Sequence, residues 1–197
     1  MAKHESEEIR KQQILTATAK CIARYGYHET SVDTIAKESK LSKGAIYWYY
    51  NSKEEVLVAL SEWRWKQNID YVRVLASGSK TFKQFLKALI DASAHYMKTA
   101  TYEHRTIHEL NAMAMANAAL NKVITDNSNE LQKIIAGVIR RQIKFGELRK
   151  NCRPNESAVF LRCFIDGFAI HAVREDKLLL IRAFRKATDE FYQWLKA

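Results

Sequence analysis

Proline occurs once in these 197 residues, at Pro154, and glycine six times. A many-stranded sheet needs a turn every few residues, and turns draw on these two residue types. Long stretches here carry no turn cluster at all, which is the pattern of helices joined by short connections. Cysteine is as sparse. Cys21, Cys152 and Cys163 are odd in number, far apart and outside any metal-ligand spacing, so no disulfide framework is implied and the thiols suit a reducing compartment. No apolar run approaches the roughly 20 residues of a membrane span, and the opening MAKHESEEIRKQQ is polar where a secretory signal needs an apolar segment. The expectation is a cytoplasmic chain with no membrane partner. Glycine-rich phosphate loops and nucleophile elbows are absent too, which points away from an enzyme and from a bound cofactor.

What is present is an ordinary apolar content of 47% and a formal net charge of +10. The apolar content supports a sizeable core, and the charge favours an anionic partner, because surface Lys and Arg attract phosphate and release its counterions. The excess is not confined to one end: a run through Lys133, Arg140, Arg141, Lys144, Arg149, Lys150 and Arg153 lies far downstream and reads first as a solvated helix face.

Hydrophobic periodicity predicts an all-α fold of about nine helices. Apolar residues from Ile9 to Ile22 recur at helical spacing, and Gly26 supplies a left-handed stop. Thr30 and Ser31 offer caps for a short helix over roughly Val32 to Ser39. A third helix starts near Ser42. Only Lys40 and Leu41 separate these two, which leaves room for nothing but a tight turn between steeply crossing helices, the spacing of a helix-turn-helix. In the third helix Ile46 and Tyr50 share an inward stripe, while Lys43 with Tyr47 and Gly44 with Trp48 form pairs on the other side. A solvent face is normally Glu, Lys and Gln, so an aromatic one anticipates a covering partner. Ser42 and Gly44 leave little bulk in the way of a phosphate or base edge. Tyr hydroxyls and Lys43 suit phosphate or guanine, and Trp48 suits sugars or a thymine methyl. Ser52 and Glu55 form a capping box for the next helix, where Lys53 opposes the helix dipole and reads either as a phosphate contact or as a plain surface residue.

The stretch TSVDTIAKESKLSKGAIYWYYNSKEEVL, Thr30 to Leu57, resembles the DNA-binding domain of the TetR family of bacterial regulators over consecutive fixed spacings. The resemblance implies that Thr30 or Ser31 and Tyr47 touch the DNA backbone, that Ser42, Lys43, Gly44, Trp48 and Tyr49 lie in or beside the groove, and that Lys53 clamps a phosphate. Residues 1–51 would then be the reader and 52–197 a helical ligand-binding and dimerisation domain. The family usually has Ala-Gly where this chain has Ser39 and Lys40, and a non-glycine residue in a left-handed conformation costs of order 1 kcal/mol.

The segment from Phe145 to Val173 is similar, more loosely, to the family's junction between its seventh and eighth helices, with Gly146 ending one and Pro154 starting the next. The last two helices pair with their copies in that family, which implies a homodimer with Leu161, Phe164, Ile165, Phe168, Phe184 and Phe191 at the interface; the same stripes also suit a monomer core. A dimer also follows from the reader's size. One short helix contacts few base pairs, whereas two copies reading half-sites one turn apart favour a near-palindromic operator in double-stranded DNA. The family's ligand cavity implies a small, largely apolar effector among Trp63, Tyr71, Phe85, Tyr96, His108, Asn111, Met113 and Phe164, residues equally suited to a tight core. The mode implied is a repressor released from its operator by that effector, the alternative being a C-terminal domain that answers to a protein partner. His104, His108 and Glu109, with His95, make a weak metal-site pattern in the wrong order for a zinc hydrolase, so no metal is expected.

Overall fold

The computed structural model describes residues 7–99, 101–171 and 176–197. Within them the periodicity resolves into nine helices and no strand: α1 (Glu7–Tyr25), α2 (Val32–Ser39), α3 (Lys43–Tyr49), α4 (Lys53–Gly78), α5 (Phe82–Thr99), α6 (Thr101–Ala114), α7 (Ala118–Lys144), α8 (Pro154–His171) and α9 (Lys177–Leu195). The stops are where backbone chemistry puts them. Gly26 and Gly146 adopt φ of 80° and 78° after α1 and α7, a region that costs glycine nothing. Ser31 caps α2 by accepting from Thr34 N–H at 3.1 Å, and Asp176 caps α9 by accepting from Leu178 and Leu179 N–H. At α4, Ser52 Oγ accepts from Glu55 N–H at 3.1 Å while the Glu55 carboxylate reaches one residue further back than a standard capping box, to Asn51 N–H at 2.7 Å.

The chain divides into two compact units, Met1–Trp65 with Thr101–Thr125 and Lys66–Ala100 with Asp126–Ala197. The unit that holds α1, α2 and α3 also takes in the start of α4, the start of α7 and all of α6. Its core centres on Ile14, Ile22, Ile35, Ile46, Leu57, Leu60 and Leu120, each at most 2% exposed. α6 docks on α1 with Thr106 fully buried, its hydroxyl donating to Ala19 O at 3.0 Å. In the second unit, Phe82, Phe85, Ile135, Ile139, Leu161 and Phe184 pack α5, α7, α8 and α9 together. Glu147 holds one edge of that core. Its carboxylate accepts from Phe82 and Lys83 N–H at the start of α5 and from the Tyr192 hydroxyl at 3.2 Å. The downstream basic run is only partly a solvated face, since Arg141 donates to Ala76 O and Ser79 O, both at 2.9 Å, capping the end of α4.

The turn between α2 and α3 departs from glycine at a cost. Lys40 sits at φ 58°, ψ 33°, the one non-glycine residue with positive φ among those described. Leu41 N–H then reaches Ala36 O at 3.0 Å, and Gln13 on α1 donates to Ser39 O at 2.6 Å, so the corner is held from both sides. Because the lysine side chain is exposed, replacing it removes strain and little packing. Lys40→Gly is expected to stabilise the fold by about 0.5–1 kcal/mol and to raise the melting temperature by about 1–4 °C. A fall of similar size in thermal denaturation would show that the lysine makes a contact worth more than the strain.

Candidate nucleic-acid interface

α3 is oriented by what it buries. Ile46 and Tyr50 are 1% and 6% exposed in the first unit's core, and the side chains next in sequence, Tyr47 and Trp48, are 46% and 83% exposed. Ser42 caps the helix by accepting from Ala45 N–H at 3.1 Å. Lys43 stands beside it with Nζ 2.8 Å from Asp33 Oδ2 on α2, and the carboxylate raises the ammonium's pKa above its ordinary value by hydrogen bonding and attraction. Gly44 is not required by the chain itself. Its φ is not positive, and an added Cβ would meet only Ser42 Oγ at 3.9 Å, an ordinary contact. Glycine in a helix is unfavourable by up to about 1 kcal/mol against alanine. No contact within the subunit requires the absent side chain.

Ser31, Ser42, Lys43, Gly44, Tyr47 and Trp48 all lie at the surface, on α2, α3 and their caps. Three other expected contacts are placed differently. Thr30 is 1% exposed and its hydroxyl donates to Gly26 O at 2.7 Å, so of the Thr30–Ser31 pair only Ser31 is at the surface. Tyr49 is half-buried against the first unit's core. Lys53 is half-buried and folded onto Tyr27: its Nζ donates to Tyr27 O at 3.0 Å and stands 4.0 Å from that ring's centroid. Tyr27 in turn donates to Glu54 at 3.0 Å. Burial, with Glu54 beside it, pushes its phenol up to about 12. Sequence reasoning overlooked Tyr27 as the seat of Lys53, because nothing in the residues flanking Gly26 signals a contact to α4.

Two family profiles match the chain, "Bacterial regulatory proteins, tetR family" over residues 14–60 and "BetI-type transcriptional repressor, C-terminal" over residues 83–193. The chain belongs to the TetR family. It is a TetR-type DNA-binding transcriptional regulator. The fatty acid metabolism regulator protein of Bacillus subtilis (strain 168) is 28% identical to it over 138 residues, 70% of each chain. Among solved structures, a TetR transcription regulator from Haloarcula marismortui superimposes with a TM-score of 0.85 at 19% identity, covering 96% of this chain and 100% of that one. FadR from Bacillus subtilis in complex with stearoyl-CoA superimposes with a TM-score of 0.78 at 22% identity, over 92% and 97%. These two likenesses concern the fold.

The residues expected to hold an effector do not gather in one unit. Trp63, His108, Asn111 and Met113 belong to the first, where Trp63 and Met113 pack against the core and the Asn111 side chain donates to Ile107 O at 3.0 Å. Tyr71, Phe85, Tyr96 and Phe164 belong to the second. Tyr71 is half exposed, whereas Phe85 is wholly sealed. Phe85 packs in the second unit's core. Two open grooves occur elsewhere: one of about 520 Å³ between α1 and the end of α2, one of about 300 Å³ between α5 and α9, and neither is lined by these residues.

The residues expected at the dimer interface differ in exposure within the single chain. Leu161, Phe184 and Phe191 are 1%, 0% and 7% exposed inside the single chain, so a partner has almost nothing of them left to cover. Phe164, Ile165 and Phe168 are half-buried against the same core. The apolar surface on α8 and α9 is instead Phe160, Ile170, Leu178, Leu179 and Trp194, each about half exposed or more. Phe160 stacks on Phe191 at 5.0 Å and precedes Phe164 by one helical turn, a spacing that would have flagged it. Among the described residues no three His, Cys, Asp or Glu side chains converge as metal ligands. The side chain of His104 lies outside the described residues. No helix among them is long and apolar enough to cross a membrane.

Gly44 allows a direct check of this surface. Gly44→Ala is expected to stabilise the free protein by about 0.5 kcal/mol in thermal unfolding and, in the same protein, to weaken binding to its operator in a fluorescence anisotropy titration. Unchanged affinity in the more stable variant would mean that no partner approaches the α3 backbone.

Proposed function

We propose that this chain works as a cytoplasmic homodimer whose two α3 helices enter successive major grooves of a near-palindromic operator, and that it represses transcription until a small, largely apolar molecule releases it. The observation that carries this reading is the α3 surface: Lys43, Gly44, Tyr47 and Trp48 stand in solvent although two of them are large aromatics. In the groove the Tyr47 hydroxyl donates to phosphate and Trp48 packs on sugar or a thymine methyl. Lys53 has three N–H donors and uses one on Tyr27, so it is held in place with two free for a phosphate. Residues 1–51 act as the reader, and 52–197 as the sensing and dimerising part.

Two copies are required because a seven-residue helix covers too few base pairs for useful discrimination. The second copy covers the exposed apolar residues of α8 and α9, Phe160 and Leu179 among them. For the effector, support comes from the relatives: one is named for fatty acid metabolism and one was solved with stearoyl-CoA. Such a ligand acts only if it binds better to the state in which the reader helices no longer match the two grooves; tight binding alone shifts nothing. The sealed position of Phe85 favours a second reading, in which the C-terminal part is a tight core that answers to a protein partner.

Selection from random duplexes is the first test. The recovered site is expected to hold two inverted half-sites about one helical turn apart. Lys43→Ala and Tyr47→Ala are each expected to weaken binding to that site about fivefold to a hundredfold, with melting temperatures within a few degrees of the parent. If both variants bind the selected site as tightly as the parent, the α3 surface is not the reader.

A further inference from the structure

We propose that Asp33 determines operator sequence: its carboxylate, paired with the Lys43 ammonium, keeps that cation off the phosphates and presents with it an acceptor and two donors that fit one G·C pair in each half-site. This rests on the reading that α3 lies in the major groove.

The pair joins the first turn of α2 to the first turn of α3, Nζ to Oδ2 2.8 Å, with both side chains at least half exposed. Nothing buried depends on it, and exposed ion pairs of this kind add little to stability. Its position is what is unusual. Ser31, Ser42, Gly44 and Tyr47 surround it in sequence and are all exposed, so a carboxylate stands on the surface meant to meet a polyanion. On a duplex that offers only phosphates, the Asp33 carboxylate stands among like charges, and a phosphate that draws on Lys43 must share its ammonium with Asp33. That cost falls on non-specific binding, which is supplied almost wholly by phosphate contacts.

At a G·C pair both groups are satisfied together. An ammonium has three N–H donors. With one donating to Asp33, two remain, and guanine presents two adjacent acceptors, O6 and N7, on its major-groove edge. The cytosine across from it presents an N4 amino donor, for which a carboxylate oxygen is the matching acceptor. Asp33 has a second oxygen besides the one held by Lys43. A lone lysine would recognise guanine or phosphate with little preference; the pair recognises both bases of one step and is repelled by the alternative.

The experiment compares the parent protein, Asp33→Asn, Asp33→Glu and Lys43→Ala on the selected operator, on versions with each G·C pair replaced in turn, and on a random duplex across a salt series. For Asp33→Asn the random duplex should bind more tightly, with a salt slope steeper by about 0.9. Preference for G·C at one position of each half-site should fall at least about fivefold, while the other positions keep theirs. Asp33→Glu, which keeps the charge, should recover part of that preference. A role confined to stabilising α2 would change the melting temperature and leave every base preference intact. If Lys43→Ala weakens operator binding but Asp33→Asn leaves all preferences unchanged, the inference fails and the groove reading stands. If neither substitution affects operator binding, both fall.

Discussion

The structure turns on the burial of Ile46 and Tyr50. α3 is seven residues long, so two inward anchors decide its rotation, and the three-residue link from α2, Lys40 to Ser42, decides its tilt. With those settled, Tyr47 and Trp48 have no interior to enter. Tertiary packing, not helix propensity, holds so short a helix in place. The corner is held by Lys40 in a left-handed conformation, by Leu41 N–H on Ala36 O, and by Gln13 on Ser39 O, all upstream of α3. The α3 surface proposed to meet DNA is thus a consequence of the core beneath it.

The cations near that surface are held before any duplex arrives. Lys43 rests on Asp33, and Lys53 rests on the carbonyl and ring of Tyr27, which is itself fixed to Glu54. Long flexible side chains lose rotamer freedom when they bind, and a side chain already held loses less. Pre-organisation of this kind favours one geometry of approach over generic attraction, which the chain's formal net charge of +10 supplies in any case. The same unit places α6 against α1 through Thr106 and brings Glu109 near the N–H of Tyr27, at 3.5 Å. Contacts from α4 and α6 therefore help to shape the unit that carries α3.

Much of the fold is legible in the residues because the signals are local. The limits of α1, α2 and α9 follow from apolar spacing and from Gly26, Ser31 and Asp176. The strained Lys40 is visible as a missing glycine, and the inward pair Ile46 and Tyr50 as a four-residue spacing. What periodicity does not carry is the identity of the covering surface. It marks Leu161 and Phe184 as apolar, yet whether the chain or a second copy covers them depends on α5 and α7, far away in sequence. Thr30 and Ser31 are adjacent cap-type residues, and only the path of the chain after Gly26 turns one inward and leaves the other in solvent. Lys53 could be read as a lone cation because its partner, Tyr27, is 26 residues upstream.

Trp48 stands uncovered in the free chain, and the proposed groove contact requires a duplex to cover it. Replacing Trp63, Trp65 and Trp194 by phenylalanine leaves Trp48 as the single indole, and its fluorescence can be quenched with acrylamide in the free protein and with saturating operator. Strong quenching in the free protein and marked protection in the complex is the predicted result. Equal quenching in both states, in a variant that still binds, would contradict it.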